Sequence, residues 1–466
     1  MNESNDGNQT KNSLFSSKIG LIMATVGSAV GLGTIWRFPA ETQAGGGAAF
    51  LIIYIGCVFL LGVPVMLSEF VVGRATRSDA VGAFRKLSPG SWWSGVGALG
   101  VLSSYLILMF YMVVAGWTLE YLIQSITGEL YEPTAASAMA AGNEALDLQF
   151  NQRMQEYIQT DWNPLVNTFL VIAINIGILI AGVKKGIERM FNIAMPLLFV
   201  LLLIFVGVCV SLPGAADGIE FFLKPDFSKL TADVFISALG QALFSLSLGM
   251  GILITYAGYY PSNTKLTRTS IVVSSMTLVV ALMMGLIIFP AVFSFGLQDH
   301  GLAGTALVFV TLPEVFARMT GGQLWSILFF TLLFVAALTS TVSIAEPSIA
   351  FVQKRFKLSR VKSTLVVLLP LFVFSALCSL SFASLSDFKI GGRVIFDFLD
   401  SLTNNYMLPL VALGGCIYVG WFAPRNLLHD QLTNRGTLKS GLIPVVTFIL
   451  RYVAPAAIIA ILISNF

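Results

Sequence analysis

Two short stretches combine residue types that weaken a helix and expose its backbone. The run Gly27-Ser-Ala-Val-Gly-Leu-Gly33 carries three glycines, and Phe244-Ser-Leu-Ser-Leu-Gly-Met-Gly251 mixes serines with two more. Each glycine costs a helix about 1 kcal/mol relative to alanine, so a cluster invites unwinding, which frees carbonyls and amides for a ligand. Both stretches interrupt long apolar runs, and paired interruptions of that kind point to a midplane binding site built from an inverted repeat. Small residues also let intact helices pack closely, which is the competing reading of either stretch alone. Charges inside the apolar runs add to the case. Arg37 follows the first cluster and Glu69 lies in the next run; an intramembrane charge costs at least about 2.5–3.5 kcal/mol unless it is paired or wetted. Glu69 is suited to accept hydrogen bonds from amides freed at a broken helix. Arg37 is suited to pair with an acid such as Asp397 or Asp400, unless it snorkels to the interface. Leu338-Thr-Ser-Thr-Val-Ser343 offers hydroxyls that either bond back to their own helix or, set against freed carbonyls, supply hard oxygens to a small cation such as Na⁺.

Such groups need elements to hold them at depth. Of the 466 residues, 56% are hydrophobic and 11% charged, against about 25% charged in a soluble domain. Apolar runs of the roughly 20 residues needed to cross a bilayer recur along the chain, and only helices satisfy their own backbone there without closing into a barrel. The pattern predicts an all-α membrane protein with about eleven transmembrane helices, at 19–40, 48–73, 95–126, 165–182, 189–212, 232–260, 269–297, 324–353, 362–383, 394–421 and 442–464. The polar stretch 127–163 reads as a loop, and 303–319 as a hairpin or re-entrant piece too short to span. A net charge of +3 gives no reason to expect nucleic acid as a partner. Cys57, Cys209, Cys378 and Cys416 sit in apolar runs without metal-ligand spacing and read as small buried hydrophobes.

Residues 1–18 lack the features of a cleaved signal and read as a cytoplasmic tail, where the Asn8-Gln-Thr10 acceptor sequence has no meaning. With that end inside, the loops bearing Arg74, Arg77, Arg85 and Lys86, then Lys184, Lys185 and Arg189, then Lys265 and Arg268, and then Lys354 to Lys362 all fall on the cytoplasmic side. An odd number of spans places the C-terminus in the periplasm or outside. The expected organisation is a first inverted repeat over 19–183, completed by the fifth helix at 184–212. A second repeat covers 213–421 (helices six to ten), and a cytoplasmic loop and an eleventh helix cover 422–466.

At these residues the sequence resembles the neurotransmitter:sodium symporter family, in particular its bacterial amino-acid transporters. The resemblance rests on the run from Lys18 through Gly33-Thr-Ile-Trp-Arg-Phe-Pro39, and on Gly45-Gly-Gly-Ala-Ala-Phe50, Pro64-Val-Met-Leu-Ser-Glu69, Gly116-Trp-Thr-Leu119, Phe244 to Gly249 and Leu338-Thr-Ser340. It implies a 5+5 inverted repeat with the first and sixth helices broken, and sodium-coupled uptake of a neutral, hydrophobic amino acid across a bacterial inner membrane by alternating access. It implies a sodium site of Gly27, Val30 and Ala336 carbonyls with Thr339 and Ser340 hydroxyls. The implied substrate pocket is Ala29, Gly33, Ile107, Tyr111, Phe244, Ser247, Met250, Ser340 and Ile344. Tyr111 and first-helix amides would hold a carboxylate, and sixth-helix carbonyls an ammonium. The implied outer gate is Arg37 with Asp400, covered by Phe244, and Glu69 takes the part of the acid that bonds the unwound backbone.

Departures from the family pattern shape the rest of the reading. A first sodium site is degraded, because Thr34 and Met276 stand where amide or acid oxygens are usual and Ser245 replaces a threonine; a thioether is a poor ligand for a hard cation. A chloride position keeps Tyr54, Gln241 and Ser245 but meets Val280, so chloride is not expected. The usual cytoplasmic ion pair is replaced by Asn12 and Lys354, and its tryptophan by Phe15, so closure must use other contacts such as Tyr259. A monomer or weak homo-oligomer is expected. The competing readings are an ion channel and a non-transporting solute sensor on the same fold. No His-Glu-x-x-His occurs, and the Gly-Lys of a phosphate loop is missing, so enzyme and ATP-driven pump are disfavoured.

Overall fold

Apolar runs long enough to span a bilayer fold as helices, and breaks fall where glycines cluster. The computed structural model describes residues 15, 17–133, 143–297, 304–438 and 441–465. Asn12, the Asn8-Gln-Thr10 sequence and His300 lie outside them. The first span is divided into α1 (Lys18–Ala29) and α2 (Gly33–Ala44), bent by 54°. Ser17 caps α1 by accepting from the Gly20 amide. Next come α3 (Ala48–Thr76) and α4 (Ser94–Thr127), the latter stopped by Gly128 at φ 88°. An extramembrane helix α5 (Asn143–Gln159) precedes α6 (Trp162–Ile180) and α7 (Val183–Val210). The expected sixth span is two short helices, α8 (Ala232–Ser245) and α9 (Ile252–Gly258), separated by non-helical residues. Then follow α10 (Leu266–Ser294), α11 (Leu307–Ala317), α12 (Gly322–Phe356), α13 (Arg360–Leu380), α14 (Ile395–Phe422) and α15 (Ile443–Ser464). Among the described residues nine unbroken helices, ten with the bent α1–α2 pair counted once, are long and apolar enough to cross a membrane.

Packing sets the broken elements in the centre. The long helices α4 and α12 lie against each other, α1 packs on α7, α10 and α12, and α9 packs on α3. Large side chains including Tyr54, Tyr256, Tyr260, Phe38 and Phe70 are wholly buried there, while Leu60, Ile193, Leu203 and Val373 are more than 60% exposed on a rim suited to lipid.

One expectation needs correcting. The stretch 127–163 is not simply a loop: α5 occupies much of it. Phe150, Met154 and Tyr157 lie on one helical face and are buried, which stabilises a helix that its polar composition hides.

Candidate functional site

The break after α1 leaves its backbone exposed to neighbours. Val30 departs from helical geometry at φ −90°, ψ 85°. Among the described residues no backbone amide reaches the carbonyls of Gly27 or Val30. The Leu32 amide donates to the Tyr111 hydroxyl at 2.9 Å, and the Thr34 hydroxyl bonds back to the Ala29 carbonyl at 3.1 Å. A Cβ at Gly31 would collide with the Ser340 hydroxyl, with the Tyr111 hydroxyl close by, so the bare backbone presses against both.

The second break is held open by two ties. The Gly249 amide donates to Glu69 Oε1 at 2.8 Å, and the Ser247 hydroxyl donates to the Ser28 carbonyl at 2.6 Å. Ser247 itself is in the left-handed region at φ 54°, a strain that clusters at functional sites. Gly249 at φ 79° leaves no room for a side chain, since a Cβ would strike the Leu408 carbonyl. Gly249→Ala is therefore expected to destabilise the protein by about 2–4 kcal/mol, from combined strain and overpacking, read as a lowered Tm in detergent.

Between the breaks the oxygen chemistry suits a cation. Thr339 is fully buried, and its hydroxyl donates to the Ala336 carbonyl at 2.8 Å, which leaves its lone pairs for a ligand. Ser340, 3% exposed, lies on the same helix beside Tyr111. Na⁺ favours such carbonyl and hydroxyl oxygens. The second oxygen set is poorer: Thr34 bonds its own helix, and Ser245 accepts from Gln241, whose amide also reaches the Gly33 carbonyl at 3.0 Å.

A cavity of about 470 Å³ opens above these groups. Gly33, Ile107, Tyr111 and Phe244 form part of its wall, with Arg37, Asp397 and Asp400 further up. Ala29, Ser247, Met250, Ser340 and Ile344 are not in that wall; each is buried. The Arg37 guanidinium lies over the Phe244 ring at 5.0 Å.

At the opposite end, where the chain enters α1, the bundle is shut. Phe15 packs edge-on against Tyr256 at 5.9 Å and near Tyr259 and Tyr260. Arg360 grips Glu346 through both terminal nitrogens, at 2.7 and 2.6 Å, and also donates to the Leu179 carbonyl. The Tyr259 hydroxyl donates to the same carboxylate at 2.7 Å. Ser17 donates its amide and hydroxyl to Glu188, fastening the start of α1 to α7.

The comparisons with known proteins agree with this architecture. The model of the sodium:neurotransmitter symporter family matches residues 12–140 and 132–466. The chain belongs to the sodium:neurotransmitter symporter family. Its members are sodium-dependent secondary transporters, not enzymes, and this one is a multi-pass membrane protein. It is 34% identical to the uncharacterized sodium-dependent transporter YhdH of Bacillus subtilis, over 97% of each chain. It is 27% identical to the sodium-dependent serotonin transporter of Drosophila melanogaster, over 96% of this chain and 75% of that one. The crystal structure of MhsT in complex with L-phenylalanine is similar with a TM-score of 0.87 and 38% identity, covering 97% of this chain and all of MhsT.

Against the family pattern, one expected pair is not formed. Arg37 forms no ion pair with Asp400 among the described residues; it faces Glu41 on its own helix at 3.6 Å, while Asp400 accepts from Asn404 at 2.6 Å. The reason is proximity, since Glu41 is one helical turn away. Glu346, Arg360 and Glu188 were not found from the sequence. Glu346 had a signal, because it is a lone acid in an apolar run.

Proposed function

We propose that this transporter carries a neutral, hydrophobic amino acid into a bacterial cell with one Na⁺, by alternating access. The observation that supports this most is the pair of facing backbone breaks, tied to each other by Ser247 and Ser28 and to the scaffold through Glu69. In this reading the free amides around Gly31, with Tyr111, hold the substrate carboxylate. Carbonyls between Phe244 and Ser247 hold its ammonium. Ile107, Phe244, Met250 and Ile344 receive an apolar side chain, a preference consistent with the L-phenylalanine bound to MhsT. Na⁺ sits on Gly27, Val30, Ala336, Thr339 and Ser340, and chloride is not required. The N-terminus is cytoplasmic and the C-terminus lies on the far side of the inner membrane, so the cavity at Arg37 faces outward and the Phe15 end faces the cytoplasm.

Uptake of labelled L-phenylalanine into proteoliposomes, measured against Na⁺ concentration, tests this. The expected result is Na⁺-dependent uptake with a Hill slope near one, and loss of Na⁺ dependence in Thr339→Ala. A slope near two, with Thr339→Ala still driven by Na⁺, would overturn the single-site reading.

A further inference from the structure

The outward-facing cavity holds an arrangement that the gate residues alone do not explain. Arg37 and Glu41 both lie on α2, 3.6 Å apart and about a third exposed. Glu41 is not a free surface acid: its Oε2 accepts from the Ser237 hydroxyl on α8 at 2.6 Å. Between them and α14 lies a crevice of about 120 Å³, lined by Arg37, Glu41, Ser237 and Asn404. Asp400, on α14, faces the main cavity, accepts from Asn404 and still feels the charge of Arg37 across it. One cation thus has three carboxylates, Glu41, Asp397 and Asp400, within the same vestibule, and among the described residues its ion pair is with the one on its own helix.

We propose that Glu41 is a positioning residue of the outer gate: anchored by Ser237, it holds the Arg37 guanidinium away from Asp400 and so keeps the vestibule open. This rests on the transport reading above. The geometry gives the competition a direction. The Arg37–Glu41 pair is internal to α2 and joins α2 to α8, the two elements that flank the breaks. A pair between Arg37 and Asp400 would instead join α2 to α14 across the cavity mouth. Closing therefore exchanges a bond along one wall for a bond between two walls. Loss of Glu41 removes the first without touching the second, and its partner Ser237 controls how firmly the first is held.

The test uses purified full-length protein with Ile158→Cys, a partly exposed position in the cavity wall on α5. Background labelling is low because all four native cysteines are buried. The rate of modification by a charged thiol reagent is measured in Na⁺ without substrate. Glu41→Gln is expected to slow labelling about threefold, the scale of a partly exposed ion pair. Adding Arg37→Ala should restore the parent rate, because no guanidinium is left to cross the mouth. Ser237→Ala should slow labelling in the same direction by less, and it carries the test if Glu41→Gln does not fold. An unchanged rate in these variants, or a slowing that persists without Arg37, overturns the proposal. A parent protein whose Ile158→Cys reactivity ignores both Na⁺ and L-phenylalanine overturns the transport reading itself, and the gate proposal falls with it.

Discussion

Tyr111→Phe is expected to lower affinity for L-phenylalanine about 100-fold and to abolish measurable uptake. The hydroxyl is committed in two directions. It accepts the Leu32 amide at 2.9 Å, so its own proton points elsewhere, toward Ser340 and the unwound backbone against which both hydroxyls lie. A phenylalanine ring strands the Leu32 amide in a buried place, at about 1–3 kcal/mol, and withdraws the hydrogen bond proposed above to the substrate carboxylate, about 1.5–3 kcal/mol. Part of the first loss is shared by the free protein, so a net of about 3 kcal/mol, or 100-fold, is the reasonable scale. Equilibrium binding of labelled L-phenylalanine in saturating Na⁺ reads this directly, with Tm measured alongside to separate weak binding from misfolding. Near-parental affinity in a folded Tyr111→Phe protein would remove Tyr111 from the carboxylate site.

How much of this arrangement could be read beforehand depended on whether a residue's chemistry announced itself locally. The breaks near Gly31 and Gly249 were legible because glycine clusters in an apolar run have few uses. Glu69 was legible as an acid in need of donors, and it does meet the Gly249 amide. Partner choice was much less legible. Arg37 was assigned an acid far along the chain, although Glu41, four residues on, lies on the same helical face. Helix α5 was missed because its polar composition outweighed the buried stripe of Phe150, Met154 and Tyr157. The seal at the Phe15 end was half seen. Tyr259 was named, but its acceptor Glu346 and the arginine that neutralises that acid were not, since pairing across the turn from α12 to α13 follows from tertiary packing, not from spacing.

That seal carries the other large expected effect. Arg360→Gln is expected to abolish uptake by leaving the Glu346 carboxylate, which is fully buried, with a tyrosine hydroxyl but no countercharge. Stranding one partner of a buried pair costs about 3–5 kcal/mol. The cost applies only while this end is shut, because opening wets the carboxylate. The substitution therefore favours the state open at the Phe15 end by roughly 100-fold or more, and in the alternating-access cycle proposed above a transporter held there cannot present its site at the Arg37 end. Ser343→Cys supplies the readout: the native hydroxyl is buried under Tyr256, so the thiol should be protected in the parent and reactive from the Phe15 end in Arg360→Gln. Glu346→Gln added to Arg360→Gln removes the stranded charge and should recover protection together with part of the uptake. A plain loss of folding would not be repaired by a second substitution of that kind. If Arg360→Gln keeps Ser343→Cys protected and uptake intact, the pair is not what shuts this end, and closure must be assigned to Phe15 and the Ser17–Glu188 contact.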